Sequence, residues 1–204
     1  MIKNYIFDFG NVLARYEPNE LTAVHVHDKD ALRMISDVVF DRLYWDALDV
    51  GTITDQEVKD GICSRLPKKW HDAACRVYDD WIVSMPPIPG MRDVVVEAKT
   101  RGGKIYLLSN ISIGFAEHYA DSPYIKELFT HFDGLVFSGP IGLAKPNASI
   151  FEHILNRFDL QADECLFIDD NASNIATAEA LGIHGYLFDG NADKLKKTLF
   201  KETL

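Results

Sequence analysis

Four short stretches of this 204-residue chain carry side chains that could do chemistry together: Asp8, Ser109 with Asn110, Lys145, and the pair Asp169-Asp170. Carboxylates from two separate stretches offer hard oxygen donors of the kind that hold a divalent cation such as magnesium. Lys145 adds a fixed positive charge able to orient Asp8 and to neutralise an anionic group. Ser109 and Asn110 read as the opening of a helix, which would bring hydroxyl, amide and backbone N–H donors onto one anion. Each residue also has an ordinary reading. Asp8 can cap a turn, Lys145 can be solvated ahead of Pro146, and Asp169-Asp170 can cap the helix that follows. Their joint placement is what points to a site.

That placement depends on the elements between them. Asn4 to Phe9 is a short apolar run stopped by Gly10-Asn11, which reads as a buried strand with Asp8 at its C-terminal end. Similar runs recur at Lys104 to Ser109, Leu135 to Ser138 and Cys165 to Asp169, with a weaker one at His184 to Phe188. Helical patterns separate them. Met91 to Thr100 starts after Pro89-Gly90 and stops at Gly102-Gly103. From Pro146 onward Ile150, Phe151, Ile154, Leu155 and Phe158 share one helical face, and the Ala-rich stretch from Asn171 to Leu181 is closed by Gly182. Strands and helices in alternation predict an α/β fold with a Rossmann-like parallel sheet core and helices on both faces. In such sheets ligands bind beyond the carboxyl ends of the strands, where the reactive residues fall.

The stretch from Glu17 to Met85 is different. It shows helical periodicity, no convincing strand, and all three tryptophans, Trp45, Trp70 and Trp81, before the proline-rich Pro86-Pro87-Ile88-Pro89. It is expected to be a small helical cap over residues 17–85, inserted after the first strand of a sheet domain made of residues 1–16 and 86–204. Within the cap, His25, His27, Tyr44 and Trp45 could face a substrate, although aromatic residues at helical spacing are more often core. Arg15 and Tyr16, near the hinge, are better placed to touch substrate.

Composition narrows the function classes. A hydrophobic content of 47% supports a sizeable core, and a formal net charge of −10 leaves no basic surface for a nucleic-acid backbone. Cys63, Cys75 and Cys165 lack metal-ligand or disulfide spacing and read as buried, inert thiols of a cytoplasmic protein. No apolar run is long enough to span a membrane, and the first residues do not look like a signal peptide. Binding of one phosphate remains compatible with an acidic protein, since a buried lysine, a metal and helix N-termini can hold a single anion, and the chain is expected as a monomer or homodimer.

In order along the chain, YIFDFGNVL, LLSN, AKP and FIDDN resemble the four motifs of the haloacid dehalogenase-like hydrolases, a resemblance that covers essentially the whole sequence. It implies that Asp8 is a nucleophile forming an aspartyl-phosphate and that Ser109, Asn110 and Lys145 bind the phosphoryl group. It also implies Mg2+ on Asp8, Asp170 and the Gly10 carbonyl, with Asp169 positioning Lys145 or a metal-bound water. The Gly-Asn-Val form of the first motif is similar to a sub-branch related to the phosphatase-like domain of epoxide hydrolases and to sugar-phosphate phosphatases.

One position departs from the phosphatases of that family, which carry a second aspartate two residues after the nucleophile as general acid and base. Here that residue is Gly10. Such a group contributes roughly 10²–10⁴-fold. A good leaving group can excuse a missing acid, but hydrolysis of the aspartyl-phosphate is the same step for every substrate. His25 and His27 are candidates to replace it. The function the resemblance implies is a magnesium-dependent phosphatase whose partner is a small phosphorylated metabolite such as a sugar phosphate, with a metal-independent 2-haloacid dehalogenase or a catalytically impaired phosphate-ester-binding protein as alternatives.

Overall fold

A computed structural model describes residues 1–200; residues 201–204, the end of the expected sheet domain, lie outside the described residues. The sheet is five-stranded and parallel in the order β3-β2-β1-β4-β5. Its strands are β1 (Asn4–Phe7), β2 (Lys104–Ser109), β3 (Gly134–Phe137), β4 (Cys165–Asp169) and β5 (His184–Leu187). β1 is central, with Ile6 opposite Tyr106 on one side and Phe167 on the other. A central parallel strand is covered on both faces, which is why its sequence is continuously apolar rather than alternating.

The period-2 geometry of the strands sorts their side chains between two cores. Ile6, Tyr106, Leu108 and Phe167 point to one face, where α10 (Ala148–Phe158) and α11 (Ala172–Ala180) supply Phe151, Ile154, Ile175 and Ala178. Phe7, Ile105, Leu107 and Ile168 point to the other. There they meet α6 (Met91–Thr100), α7 (Ile113–His118), α8 (Pro123–Phe129) and α12 (Ala192–Leu199) through Val95, Phe115, Leu128 and Leu195. The four-residue α9 (Ser138–Ile141) follows β3 directly.

Between β1 and α6 the chain is helical: α1 (Pro18–Ala23), α2 (Lys29–Val39), α3 (Trp45–Asp49), α4 (Asp55–Ser64) and α5 (His71–Ser84). Local sequence explains these starts. Asp28 caps α2 by accepting from Ala31 N at 2.8 Å, and Thr54 with Glu57 forms a reciprocal capping box on α4. The two passages joining this segment to the sheet run side by side, with Arg15 N donating to Pro86 O (2.8 Å) and Ile88 N to Leu13 O (3.1 Å). None of the described helices is long and apolar enough to cross a membrane.

Several boundaries differ from the sequence reading. β1 stops at Phe7, so Asp8 and Phe9 lie just beyond the strand, although Asp8 N still donates to Ile168 O at 2.9 Å. β3 starts one residue earlier than expected and Ser138 opens α9 instead of closing the strand. α10 starts at Ala148, with the Asn147 side chain as its cap, rather than at Pro146.

Candidate active site

β1, β2 and β4 end side by side, so the residues after them meet at one edge of the sheet. A cavity of about 530 Å³ opens there, lined from below by Asp8, Gly10, Ser109, Asn110, Lys145 and Asp170. The six therefore converge as the sequence anticipates. Arg15 does not join them. It pairs with Glu20 at 2.6 Å, both side chains about half exposed, and lies outside the cavity.

Lys145 is the hub of the floor. Its ammonium is 1% exposed and lies 2.8 Å from Asp8 Oδ1 and 2.8 Å from Asp169 Oδ2. A buried ion is tolerated only when its charge and hydrogen-bonding capacity are answered, and two carboxylates answer it. Burial works to lower the lysine's pKa, but the Asp8 and Asp169 charges outweigh it and hold Lys145 above its usual range. Asp8 is pushed up to about 7 by burial and by the neighbouring Asp169 charge, against the pull of Lys145. Phe9 N donates to Asp8 Oδ1 at 2.7 Å, the oxygen that Lys145 also meets, leaving Oδ2 without a donor among the described residues.

Asp169 is fully buried and committed. Oδ1 accepts from Asn171 N (2.7 Å), Oδ2 from Lys145 Nζ (2.8 Å), and Asn174 Nδ2 spans both at 3.1 and 3.0 Å. This arrangement orients Lys145. Asp170 is the exposed partner, accepting from Asn11 Nδ2 at 3.3 Å, and burial together with the Asp169 charge raises its pKa. Carboxylate oxygens of Asp8, Asp169 and Asp170 lie within 4.8 Å of one another. Three carboxylates against one ammonium leave the floor negative, and hard oxygens this close fit a divalent cation. Asp8 and Asp170 have the oxygen capacity to hold it.

Ser109 and Asn110 do not open a helix. Ser109 is the last residue of β2, 2% exposed at the cavity, and α7 begins only at Ile113 with Ser112 as its side-chain cap. The Asn110 amide is largely spent on Lys145: it donates to the Lys145 carbonyl and accepts from Lys145 N, both at 2.8 Å. Asn110 therefore fixes the lysine's backbone as well as lining the cavity.

The upper wall comes from the helical segment. Tyr16, Trp45 and Trp81 line it, with ring centroids 5.4 Å apart for Tyr16–Trp45 and 5.5 Å for Trp45–Trp81. These aromatic residues serve both core and cavity, so the core reading of Trp45 is half of its role. Tyr44 instead packs against Arg65, 5.4 Å from its ring. His25 lies 3.0 Å from Asp80 and His27 is exposed elsewhere; neither lines the cavity, so neither replaces the missing acid at Gly10.

Sequence reasoning missed three supporting residues. Asn11, in the left-handed region at φ 54°, turns the chain out of the sheet and accepts from Tyr16 N at 3.1 Å. Asparagine tolerates that conformation better than most residues, so the Gly10-Asn11 break carried a signal. Asn174 lies in the first turn of α11, where side chains lean back toward the helix start and Asp169. Asp49 lines the cavity from the end of α3 with no local motif to announce it.

The four-motif order and this geometry agree with the comparison to known proteins. Residues 2–182 match the family described as haloacid dehalogenase-like hydrolase. The chain belongs to that family. The hydrolase is 26% identical over 183 residues to the sesquiterpene phosphatase astK of Aspergillus oryzae, covering 90% of this chain and 88% of that one. It is also 26% identical over 205 residues to the D-ribitol-5-phosphate phosphatase of Bacteroides thetaiotaomicron, covering 95% of each. Among solved structures, the magnesium complex of HAD family enzyme bt-2542 from Bacteroides thetaiotaomicron superposes with a TM-score of 0.69 at 24% identity, over 98% of this chain and 99% of that one. That likeness establishes the shared fold.

Proposed function

We propose that this hydrolase is a magnesium-dependent phosphatase acting on a small phosphorylated metabolite through an aspartyl-phosphate on Asp8. The observation that carries the reading is the floor of the cavity: Asp8 at a strand end, bridged at 2.8 Å to a lysine that Asp169 holds from the other side, with Asp170 beside it. Bound magnesium would be held by Asp8 and Asp170 and would supply charge neutralisation for a phosphoryl dianion approaching two carboxylates. Lys145 orients Asp8 and stabilises the negative charge that builds on the phosphoryl oxygens. Ser109, buried at the cavity edge, offers a hydroxyl to one of those oxygens. Attack by an Asp8 oxygen on phosphorus then expels the alcohol, and water later releases phosphate from Asp8.

Residues 17–85 act in this reading as a cap that closes the site. Tyr16, Trp45 and Trp81, packed edge to face or tilted against one another, present a largely apolar surface to the part of the substrate beyond the phosphate. That surface suits either a terpenoid chain or the carbon face of a polyol, the substrate types named for the two phosphatase relatives. A metal-independent dehalogenase would leave Asp170 without a task.

The test is phosphate release by purified protein from a panel of phosphorylated metabolites, with magnesium and with chelator. Release that requires magnesium and disappears in Asp8→Asn supports the reading. Undiminished release in chelator, or chloride release from 2-chloropropionate, contradicts it.

A further inference from the structure

The upper wall of the cavity holds a buried carboxyl that has no hydrogen-bond partner among the described residues. Asp49, the last residue of α3, is 7% exposed and lines the same cavity as Asp8, Lys145 and Asp170. Its carboxylate receives no hydrogen bond from the described residues; only the more distant charges of Arg42, Asp46 and Lys145 act on it. Arg42 is itself occupied, 3.6 Å from Asp46 and over the Trp45 ring. A carboxyl largely shielded from water, with no partner but the cavity it faces, is costly to keep. The chain nevertheless holds it in place.

How it is held is visible two residues further on. Gly51, at φ 67°, presses against the turns that follow β2 and β3: a Cβ there would lie 2.6 Å from the Gly139 carbonyl oxygen and 3.0 Å from Ile113 Cδ1. Gly51 N donates to Leu48 O (3.1 Å) and Thr52 N to Ala47 O (2.9 Å), closing α3 against the sheet edge. Asp49 is thereby seated on the cavity rather than carried on a loose loop. Meanwhile Gly10 lines the floor with open space where a side chain would be, since a Cβ there meets nothing within 4 Å.

We propose that Asp49 is the proton-transferring carboxylate of this site, performing from the helical segment the task that Gly10 has no side chain to perform. The inference rests on the phosphatase reading. In the first step an Asp8 oxygen bonds to phosphorus, the phosphorus–oxygen ester bond breaks, and protonated Asp49 gives its proton to the departing oxygen. In the second step the Asp49 carboxylate takes a proton from water as the water oxygen bonds to phosphorus. The Asp8–phosphorus bond then breaks, and Asp49 is protonated again. Ester and water become alcohol and phosphate, with Asp8 and Asp49 restored. Burial raises the Asp49 carboxyl to about 6, with Arg42 and Lys145 pulling down and Asp46 pushing up, so both forms are populated near neutral pH. Asp49 in turn helps to raise the pKa of Tyr16, after burial, and Asp8 and Asp170 face it from the floor of the cavity.

The experiment compares wild type with Asp49→Asn on an alkyl phosphate and on a nitrophenyl phosphate, whose phenolate leaves without a proton, both with magnesium. On the alkyl ester kcat should fall roughly 10²–10⁴-fold with KM little changed, and the fall of kcat/KM as pH rises through about 6 should vanish. On the nitrophenyl ester the variant should release one equivalent of nitrophenol rapidly, then stall with phosphate on Asp8. Gly10→Asp added to Asp49→Asn should restore turnover. A thermal melt of Asp49→Asn no lower than wild type shows that folding is intact. Asp49→Asn that keeps kcat on both esters, or that changes KM alone, overturns the proposal while leaving the phosphatase reading standing. A wild type with no magnesium-dependent release overturns both.

Discussion

Lys145 Nζ sits 2.8 Å from both Asp8 and Asp169 with 1% of its side chain exposed, whereas across the cavity Arg42 reaches Asp46 at 3.6 Å with both side chains mostly in solvent. The floor is a closed set: Asn110 fixes Lys145, Lys145 orients Asp8, and Asn174 and Asn171 hold Asp169. The upper wall is mainly aromatic packing, with the solvent-exposed Arg42 and Asp46 at its edge and the carboxyl of Asp49 seated on it. A reaction centre has to be held within fractions of an ångström, and buried, mutually satisfied polar groups on strand ends do that. A surface that selects substrates has to offer shape instead, and aromatic rings supply large contact area with little conformational freedom to lose. On the proposed reading the difference would give chemistry to the sheet and selection to the helices, with Asp49 as the exception that crosses over.

Substitutions on the two sides should therefore fail differently. The largest effect belongs to Asp8→Asn, which keeps shape and removes the nucleophile. Phosphate release should drop by about 10³-fold or more, as for nucleophiles elsewhere, with the circular dichroism spectrum unchanged. Lys145→Met should cost both turnover and stability. It leaves Asp8 and Asp169 facing each other without a cation, so urea unfolding should show a loss of about 3–5 kcal/mol. If Lys145→Met folds as stably as wild type, the closed floor is misdescribed.

Metal should register even without substrate. Magnesium at about 100 times its Kd should stabilise the wild type by about 2.7 kcal/mol and shift its melting temperature accordingly. Asp170→Asn should lose most of that shift. On the other wall, Trp45→Ala should raise KM by about two- to tenfold, in keeping with the roughly 0.5–1.5 kcal/mol an aromatic contact adds, and leave kcat nearly unchanged. Equal losses in kcat would break the division between floor and wall. Arg15→Ala should do least, because an exposed ion pair is worth about 0–1 kcal/mol and the Arg15–Glu20 pair lies outside the cavity.

The reactive floor was legible in the sequence for a physical reason. Residues that close short apolar runs are delivered by a parallel sheet to one edge, so Asp8, Ser109 and Asp169 come together from their positions alone. Lys145 entered as the reactive residue of the loop that follows the third strand run. Asn110 was read as an anion ligand, and the structure adds its clamp on a backbone 35 residues away, which no local pattern encodes. Asp49 was illegible for a related reason. Its significance comes from the way Gly51 meets Gly139, a contact between separate elements. The Arg15 expectation used nearness along the chain to the first motif, but Asn11 turns the backbone at once and carries Tyr16 toward the cavity while Arg15 faces solvent.

The central claim is that Asp8 becomes covalently phosphorylated during turnover. Acyl phosphates are reduced by borohydride to the alcohol, so quenching the magnesium-loaded enzyme with borohydride during turnover and mapping its peptides reads the claim at a single residue. Conversion of residue 8 to homoserine, absent without substrate and absent in Asp8→Asn, is the predicted result. Continuing phosphate release with residue 8 unmodified would contradict it.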